Sequence, residues 1–269
     1  MSLLSIIIVS FNARAELAQC LESLHQPAPV TSHEVIVVDN ASSDGSAAAA
    51  RQWAGVRTIE TGANLGFARA TNIGIRESRG DLLLWLNSDT VVPAGAIDRL
   101  VEILQSSHDV SVVGPRLVDA GGHPELSFGA MLGPFNELRQ KLLVRGHDRR
   151  VPVISNLVDR WTREPVFPDW VSGACLLVRR VDAEAVGLLD ERYFMYAEDV
   201  DFCAAIRRRG GRIRFSPEVT IVHLRGQSVS AAPAATAAAY RQSQLAFYTK
   251  HHPRWLPLLR FYLRLRGVR

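Results

Sequence analysis

No aspartate or glutamate follows Glu218 in this chain of 269 residues, whereas Arg225, Arg241, Lys250, Arg254, Arg260, Arg264, Arg266 and Arg269 all lie beyond it. Setting those eight aside turns a whole-chain net charge of +4 into −4 over residues 1–218. Basicity therefore belongs to the tail, and the even basic coat of a nucleic-acid-binding protein is missing. Cysteine is scarce: Cys20, Cys175 and Cys203 form no CxxC pair and no even-numbered framework, which excludes a disulfide scaffold and makes a reducing compartment the expectation. No apolar run approaches the roughly 18 residues of a membrane span. The segment Met1–Ser10 lacks a basic region and a small-residue cleavage site, so it reads as a first strand and not as a signal peptide.

The common nucleotide-binding fingerprints are also missing. A dinucleotide dehydrogenase needs GxGxxG after its first strand, but Ser10-Phe11-Asn12-Ala13-Arg14 stands there. There is no GxxxxGK[ST], which argues against a P-loop nucleotidase, and no Gly-rich basic loop of the kind a sugar nucleotidyltransferase carries after its first strand.

What is present is an alternation of β-branched runs with helical patterns. Ile6 to Val9, Val35 to Asp39, Val56 to Glu60, Leu82 to Leu86 and Val110 to Val113 read as strands, several apolar at consecutive positions, as a sheet covered on both faces requires. Ala15 to His25, Ser43 to Trp53, Phe67 to Ser78 and Ala94 to Ser106 have helical length and propensity. The pattern predicts an α/β fold with a mostly parallel sheet. Residues 120–168, with Gly121-Gly122, Gly133-Pro134 and Pro152, Pro165 and Pro168, read as a long surface excursion. Beyond it, order resumes over Trp170 to Arg179, a helix over Asp199 to Arg209, short strands at Arg212 to Phe215 and Val219 to His223, and helices over Ala231 to Tyr248 and Trp255 to Arg266.

In such sheets ligands gather at the carboxyl ends of the strands. Those ends are polar here: Ser10 and Asn12, then Asp39 to Gly45, then Gly62 to Ala68, then Asn87-Ser88-Asp89. An acid ending a buried strand can hold a divalent cation, and the acids of Tyr196-Ala197-Glu198-Asp199-Val200-Asp201 sit behind aromatic residues, where one can accept a proton.

In order along the chain, Ser5–Asn12, Val37–Gly45, Asn64–Ala68 with Asn72, Asn87-Ser88-Asp89, Glu198-Asp199 with Asp201, and His223 resemble glycosyltransferase family 2, most closely its rhamnosyltransferase-like branch. The resemblance implies the GT-A fold, with a Rossmann-like central sheet flanked by helices, and an inverting, metal-dependent hexosyltransferase. It would move a sugar, rhamnose among the candidates, from a UDP- or dTDP-sugar to a saccharide acceptor, polyprenyl-linked by expectation, in bacterial surface polysaccharide synthesis. It implies a domain over 1–228, with a nucleotide-sugar half at 1–120 and an acceptor and catalytic half at 121–228, followed by a basic amphipathic helical extension at 229–269. Asp199 would be the base. Ser10, Asn12, Asp39, Asn64, Gly66, Asn72, Asn87, Ser88 and Gly173 would line the donor site, Asp89 and His223 would hold Mg2+ or Mn2+, and Glu198, Asp201 and Tyr196 would be acceptor-side or structural. The usual DxD is Asn87-Ser88-Asp89 here, so one strand-end carboxylate is available, and imidazole ligation shifts preference toward Mn2+.

The residues also have plainer readings. Glu198, Asp199 and Asp201 suit a helix N-terminus, Asp89 suits a turn, His223 suits packing at a strand end and Gly173 suits a bulge. A non-catalytic sugar-nucleotide or glycan-binding protein of the same fold is the alternative to an enzyme. The tail, with Arg260 and Arg264 four apart, suits either an anionic membrane surface or packing on protein, a second copy included. The expected location is the cytoplasm or the inner face of its membrane.

Overall fold

In chain order the elements are β1 (Leu4–Ser10), α1 (Arg14–His25), β2 (His33–Asp39), α2 (Ser46–Ala50), β3 (Val56–Glu60), α3 (Phe67–Glu77), β4 (Leu82–Asn87), β5 (Thr90–Val91), α4 (Ala96–Gln105), β6 (Val110–Val118), β7 (Phe128–Gly129), α5 (Pro134–Asp148), α6 (Pro152–Trp161), β8 (Trp170–Val171), β9 (Cys175–Arg179), α7 (Arg180–Ala185), α8 (Glu198–Arg208), β10 (Arg212–His223), α9 (Pro233–His251), a 3-10 turn (Pro253–Trp255) and α10 (Leu256–Leu265). The computed structural model describes residues 2–224 and 233–265. The expected helix start at Ala231, and Arg225, Arg266 and Arg269, lie outside the described residues.

The main sheet runs β3-β2-β1-β4-β9-β6-β10-β5. Strands β1, β2, β3 and β4 pair in parallel, so the polar termini of β1, β2 and β4 emerge along one edge. Apolar residues at successive positions are explained by two cores. Ile6, Ile8, Val37, Leu84 and Leu86 pack against α1 and α4, and Ile7, Val38, Leu83 and Trp85 face α3, α8 and α9. Period-two alternation with both faces buried leaves no polar face for the sequence to display.

The sheet is mostly parallel, as the sequence predicts, with antiparallel members whose direction the sequence does not mark. Strand β9 runs antiparallel between β4 and β6. Its Cys175–Val178 stretch is fully buried, and an apolar run carries no mark of direction. The stretch read as an irregular excursion contains α5 and α6. Pro134 and Pro152 stand at their starts, where a missing N–H costs nothing and the fixed φ favours the first turn. They act as helix starters and not as breakers. The two short strands expected at 212–215 and 219–223 are one strand, β10, with an irregular register between Ser216 and Thr220.

Helix α9 closes the second core. Phe247 is fully buried there, worth roughly 3 kcal/mol of transfer free energy. Asp201 on α8 takes Lys250 Nζ at 2.8 Å and His251 Nε2 at 2.5 Å. Glu137 on α5 accepts hydrogen bonds from Tyr240, Gln244 and Tyr248. A buried carboxylate is tolerable when several donors converge on it, and these fasten α9 to α8 on one side and to α5 on the other.

Candidate active site

The first expected donor residues meet at the ends of β1 and β2. Ser10 and Asp39 are register partners, both fully buried, yet Ser10 Oγ and Asp39 Oδ1 have no hydrogen-bond partner. Burying two polar oxygens unpaired costs free energy, so these atoms fit a ligand that supplies donors. The other oxygen of Asp39 accepts the Ser42 N–H at 3.0 Å. Asn12, expected to line the same pocket, uses its Oδ1 to accept the Ser43 N–H at 2.8 Å, which braces the loop after β2.

Asn40, which sequence reasoning left among the motif residues without a role, is the hub of the next loop. Its Nδ2 donates to Asn64 Oδ1 at 2.9 Å, and its Oδ1 accepts the Leu65 N–H at 2.9 Å. Asn64 and Gly66 are thereby fixed in place. Gly66 has φ +83°, and a Cβ there would collide with the Phe194 carbonyl oxygen, which instead accepts the Phe67 N–H at 2.6 Å. Only glycine lets the third-strand loop lie on the Phe194–Tyr196 loop. Asn72 stands apart from the open polar groups of the crevice. It is buried, its Nδ2 donates to Leu189 O at 2.8 Å and Glu191 Oε1 at 3.0 Å, and its Oδ1 accepts the Leu189 N–H at 3.1 Å. It ties α3 to the segment that leads into α8.

Strand β4 ends at Asn87, and the turn through Ser88 delivers Asp89 opposite the end of β10. His223 Nε2 lies 3.3 Å from Asp89 Oδ1 and 3.5 Å from Asn87 Nδ2. On the other ring nitrogen, Nδ1 lies 3.1 Å from Glu125 Oε2. Glu125, absent from the expected residues, is buried and belongs to the loop after β6, 98 residues away in sequence. Nothing in its neighbourhood marks it. Burial works against the imidazolium, but the carboxylates of Asp89 and Glu125 more than offset that and push His223 up to about 9.

Among the described residues no three His, Cys, Asp or Glu side chains form a preformed cage for a metal. Asp89 and His223 nevertheless converge, and Glu125 lies behind the imidazole, where a carboxylate would fix the ring if it ligated a cation. Asp89 and His223 are thus the residues that could hold a divalent cation here, with oxygen donors from outside the protein needed to complete its shell.

The second acidic cluster lies at the start of α8. Tyr196 and Ala197 both have positive φ, at 74° and 67°, an uncommon pair of left-handed residues that turns the chain sharply into the helix. Glu198 is buried, with Oε2 lacking a partner, whereas Asp199 is partly exposed. Asp199 Oδ2 accepts the Gly173 N–H at 2.9 Å and Oδ1 the Val200 N–H at 2.8 Å. Burial raises Asp199 against the pull of those donors. Glu198 is pushed up to about 8, first by burial and then by the neighbouring Asp199 charge. The pair therefore favours one negative charge, on Asp199, whose two oxygens accept backbone N–H groups. Asp201 takes the structural side of its expectation, engaged by α9, and Tyr196 packs edge-on against Tyr240 at 5.7 Å.

The two acidic groups are joined by one short segment. Gly173 donates to Asp199, and the next residue, Ala174, accepts the Asn87 N–H at 2.9 Å through its carbonyl. A Cβ at Gly173 would sit 3.2 Å from Asp199 Cβ, so the small residue preserves the approach.

A mixed, mostly parallel α/β sheet with polar strand ends, an Asp-His pair at one and an acidic helix start beside it defines the GT-A class of glycosyltransferases. The chain matches the family model "Glycosyl transferase family 2" over residues 5–146, and it belongs to that family. It is 31% identical over 277 residues to an N-acetylglucosaminyl-diphospho-decaprenol L-rhamnosyltransferase of Mycobacterium tuberculosis, covering 94% of this chain and 86% of that protein. It is 26% identical over 241 residues to the rhamnosyltransferase WbbL of Escherichia coli, covering 81% and 82%. Among solved structures it resembles a mannosyltransferase of Pyrobaculum calidifontis in complex with GDP-Man and Mn2+, with TM-score 0.62, 19% identity, 96% of this chain and 68% of the other.

Proposed function

We propose that the chain is a metal-dependent inverting glycosyltransferase that moves a hexose, rhamnose first among the candidates, from a dTDP- or UDP-sugar to a polyprenyl-linked saccharide in surface polysaccharide synthesis. The observation that carries this reading is the Gly173-Ala174 segment, which holds Asp199 and the end of β4 side by side. Similarity to the two rhamnosyltransferases supports the choice of sugar and acceptor. In this reading residues 1–120 bind the donor, 121–228 supply the acceptor side and 229–269 form the extension that brings the enzyme to the inner face of a membrane.

Ser10 Oγ and Asp39 Oδ1 accept hydrogen bonds from the pyrimidine or ribose, which relieves their unpaired burial. Asp89 and His223 would hold the cation, which when bound would offset charge growing on the departing diphosphate. Asp199 takes the proton of the attacking hydroxyl. It is the less buried residue of the acidic pair, and its raised affinity for a proton improves it as a base near neutral pH. Gly173 and Val200 aim it through their N–H groups, and the neutral Glu198 beside it accepts or donates to an acceptor hydroxyl through its free oxygen.

The test is release of dTDP or UDP from a panel of sugar nucleotides with and without Mn2+, with the product anomer read by NMR. Asp199→Asn is expected to keep donor binding and lose transfer by about 10²–10⁴-fold. Near-normal turnover in that variant removes Asp199 as the base. Donor binding with no transfer under any condition favours the non-catalytic alternative.

A further inference from the structure

Helix α10 is apolar on two opposite sides. Leu259 and Leu263 are buried and Leu256 packs partly against the second core, a spacing of three and four that lies on one face. Leu258, Phe261 and Leu265 point away from it, 56%, 59% and 72% exposed. Arg260 and Arg264 run along the flank between the two.

Helix α5 repeats the pattern. Glu137 turns inward to α9, while Phe135, Leu138 and Leu142, again spaced three and four apart, are 75%, 57% and 57% exposed, with Arg139 and Arg145 exposed beside them. The start of the α5 stripe meets the turn that leads into α10. Trp255 packs edge-on against Phe135 at 6.1 Å, and His252 Nε2 lies 2.6 Å from the Leu132 carbonyl oxygen. Isolated exposed hydrophobic side chains are ordinary, but here two outward apolar stripes are linked through Phe135 and Trp255.

Its charge says what covers it. Arg139, Arg145, Arg254, Arg260 and Arg264 are exposed, and none has an ion pair among the described residues. The sequence of α10 has no acid, and in α5 only Asp148 accompanies the buried Glu137. Apolar bulk flanked by uncompensated arginine is the composition of an element lying in a lipid headgroup region. No described helix is long and apolar enough to cross a membrane, so contact of this kind would be interfacial.

We propose that α5, the Pro253–Trp255 turn and α10 form one docking face for an anionic lipid bilayer. The face is separated from the catalytic loop by α9 alone. Tyr240 of α9 donates to Glu137 on α5 at 3.0 Å and packs on Tyr196, and Ser243 Oγ donates to Met195 O at 2.7 Å. Seating α5 and α10 on lipid would set the acceptor side at a fixed height above the headgroups. This last consequence rests on the reading of a lipid-linked acceptor; the docking face itself rests on exposure and charge.

The experiment is co-sedimentation of the full chain with vesicles of phosphatidylcholine alone and with about one-third phosphatidylglycerol. Binding is expected to the anionic vesicles and to fall with added salt. Leu142→Glu on α5 and Phe261→Glu on α10 should each lower binding at least tenfold, and Arg260→Gln with Arg264→Gln about 30-fold, taking roughly fivefold per charge. All three should keep the parent's melting temperature and its transfer to a water-soluble acceptor. Recovery of the parent protein in the supernatant with anionic vesicles at low salt overturns the proposal. So does unchanged binding by Leu142→Glu, which would leave the tail acting alone. A concentration-dependent dimer mass abolished by Leu142→Glu and Phe261→Glu would assign the face to a second copy and overturn it as well. Vesicle binding by a protein that releases no nucleotide would sink the glycosyl-transfer reading and leave the docking face standing.

Discussion

Replacing Glu198 by glutamine should stabilise the protein at pH 8 and flatten its stability between pH 5 and pH 8. Glu198 is buried beside Asp199, with one oxygen unpartnered, and its proton affinity is raised from an ordinary 4.5 to about 8. A carboxyl raised on folding contributes stability that is complete below its unfolded value and lost as pH climbs through the folded one. The window is therefore about pH 4.5 to 8. At ~1.4 kcal/mol per unit the shift sets a ceiling of about 5 kcal/mol, of which a few are expected once water and side chains relax around the charge. Glutamine keeps the shape and never ionises, so the variant should escape most of that loss. The measurement is urea denaturation of parent and variant at pH 5, 6.5 and 8. His223, raised to about 9, also gives up stability as pH rises past its ordinary 6.5, but it is common to both proteins and cancels in the comparison. Asp190 and Asp201 are pulled below the usual 3.8 with their cationic partners in place, so their contributions change only in more acid solution. Parallel stability curves, with the variant no better at pH 8 than at pH 5 relative to the parent, would refute the account of this pocket.

Glu125→Gln should weaken Mn2+ binding about 10–100-fold, because the carboxylate on His223 Nδ1 fixes the ring that faces Asp89, while nucleoside affinity stays near the parent's; calorimetric titration of metal and of nucleotide separates the two. Loss of both in equal measure would make Glu125 a general support of the fold. Gly66→Ala should destabilise by more than the ~1 kcal/mol of a left-handed alanine, since the added methyl meets backbone at Phe194, and donor affinity should fall with it. A melting temperature and donor affinity equal to the parent's would show that the loop can move aside.

The grouping of polar strand ends that makes up the candidate site was legible before folding, for a definite reason. Ser10, Asp39 and Asp89 end runs whose apolar character already marks them as buried strands, so polarity at their ends stands out. Asn72 stood in the same ordered set, yet its amide is consumed by Leu189 and Glu191, a partnership 117 residues away that local sequence cannot announce. Glu125 is the converse: it lies in a loop with no periodicity around it and gains meaning only because β10 brings His223 to it. The helices α5 and α6 were hidden because proline breaks a helix from within and starts one from its first turn, and the residue type alone does not say which.

The sequence by itself determined the α/β alternation, the two-sided burial of the early strands, the polar strand ends and the basic, acid-free tail, because each is written in the order of apolar and polar residues along a local stretch. Tertiary structure decided the antiparallel course of β9, the pairing of Glu125 with His223, the joining of Asp199 to β4 through Gly173-Ala174, and the contact of Phe135 on α5 with Trp255 in the turn before α10. Those depend on which distant segments pack together, and packing is chosen by the whole chain's buried surface and hydrogen bonds, not by the neighbours of any one residue.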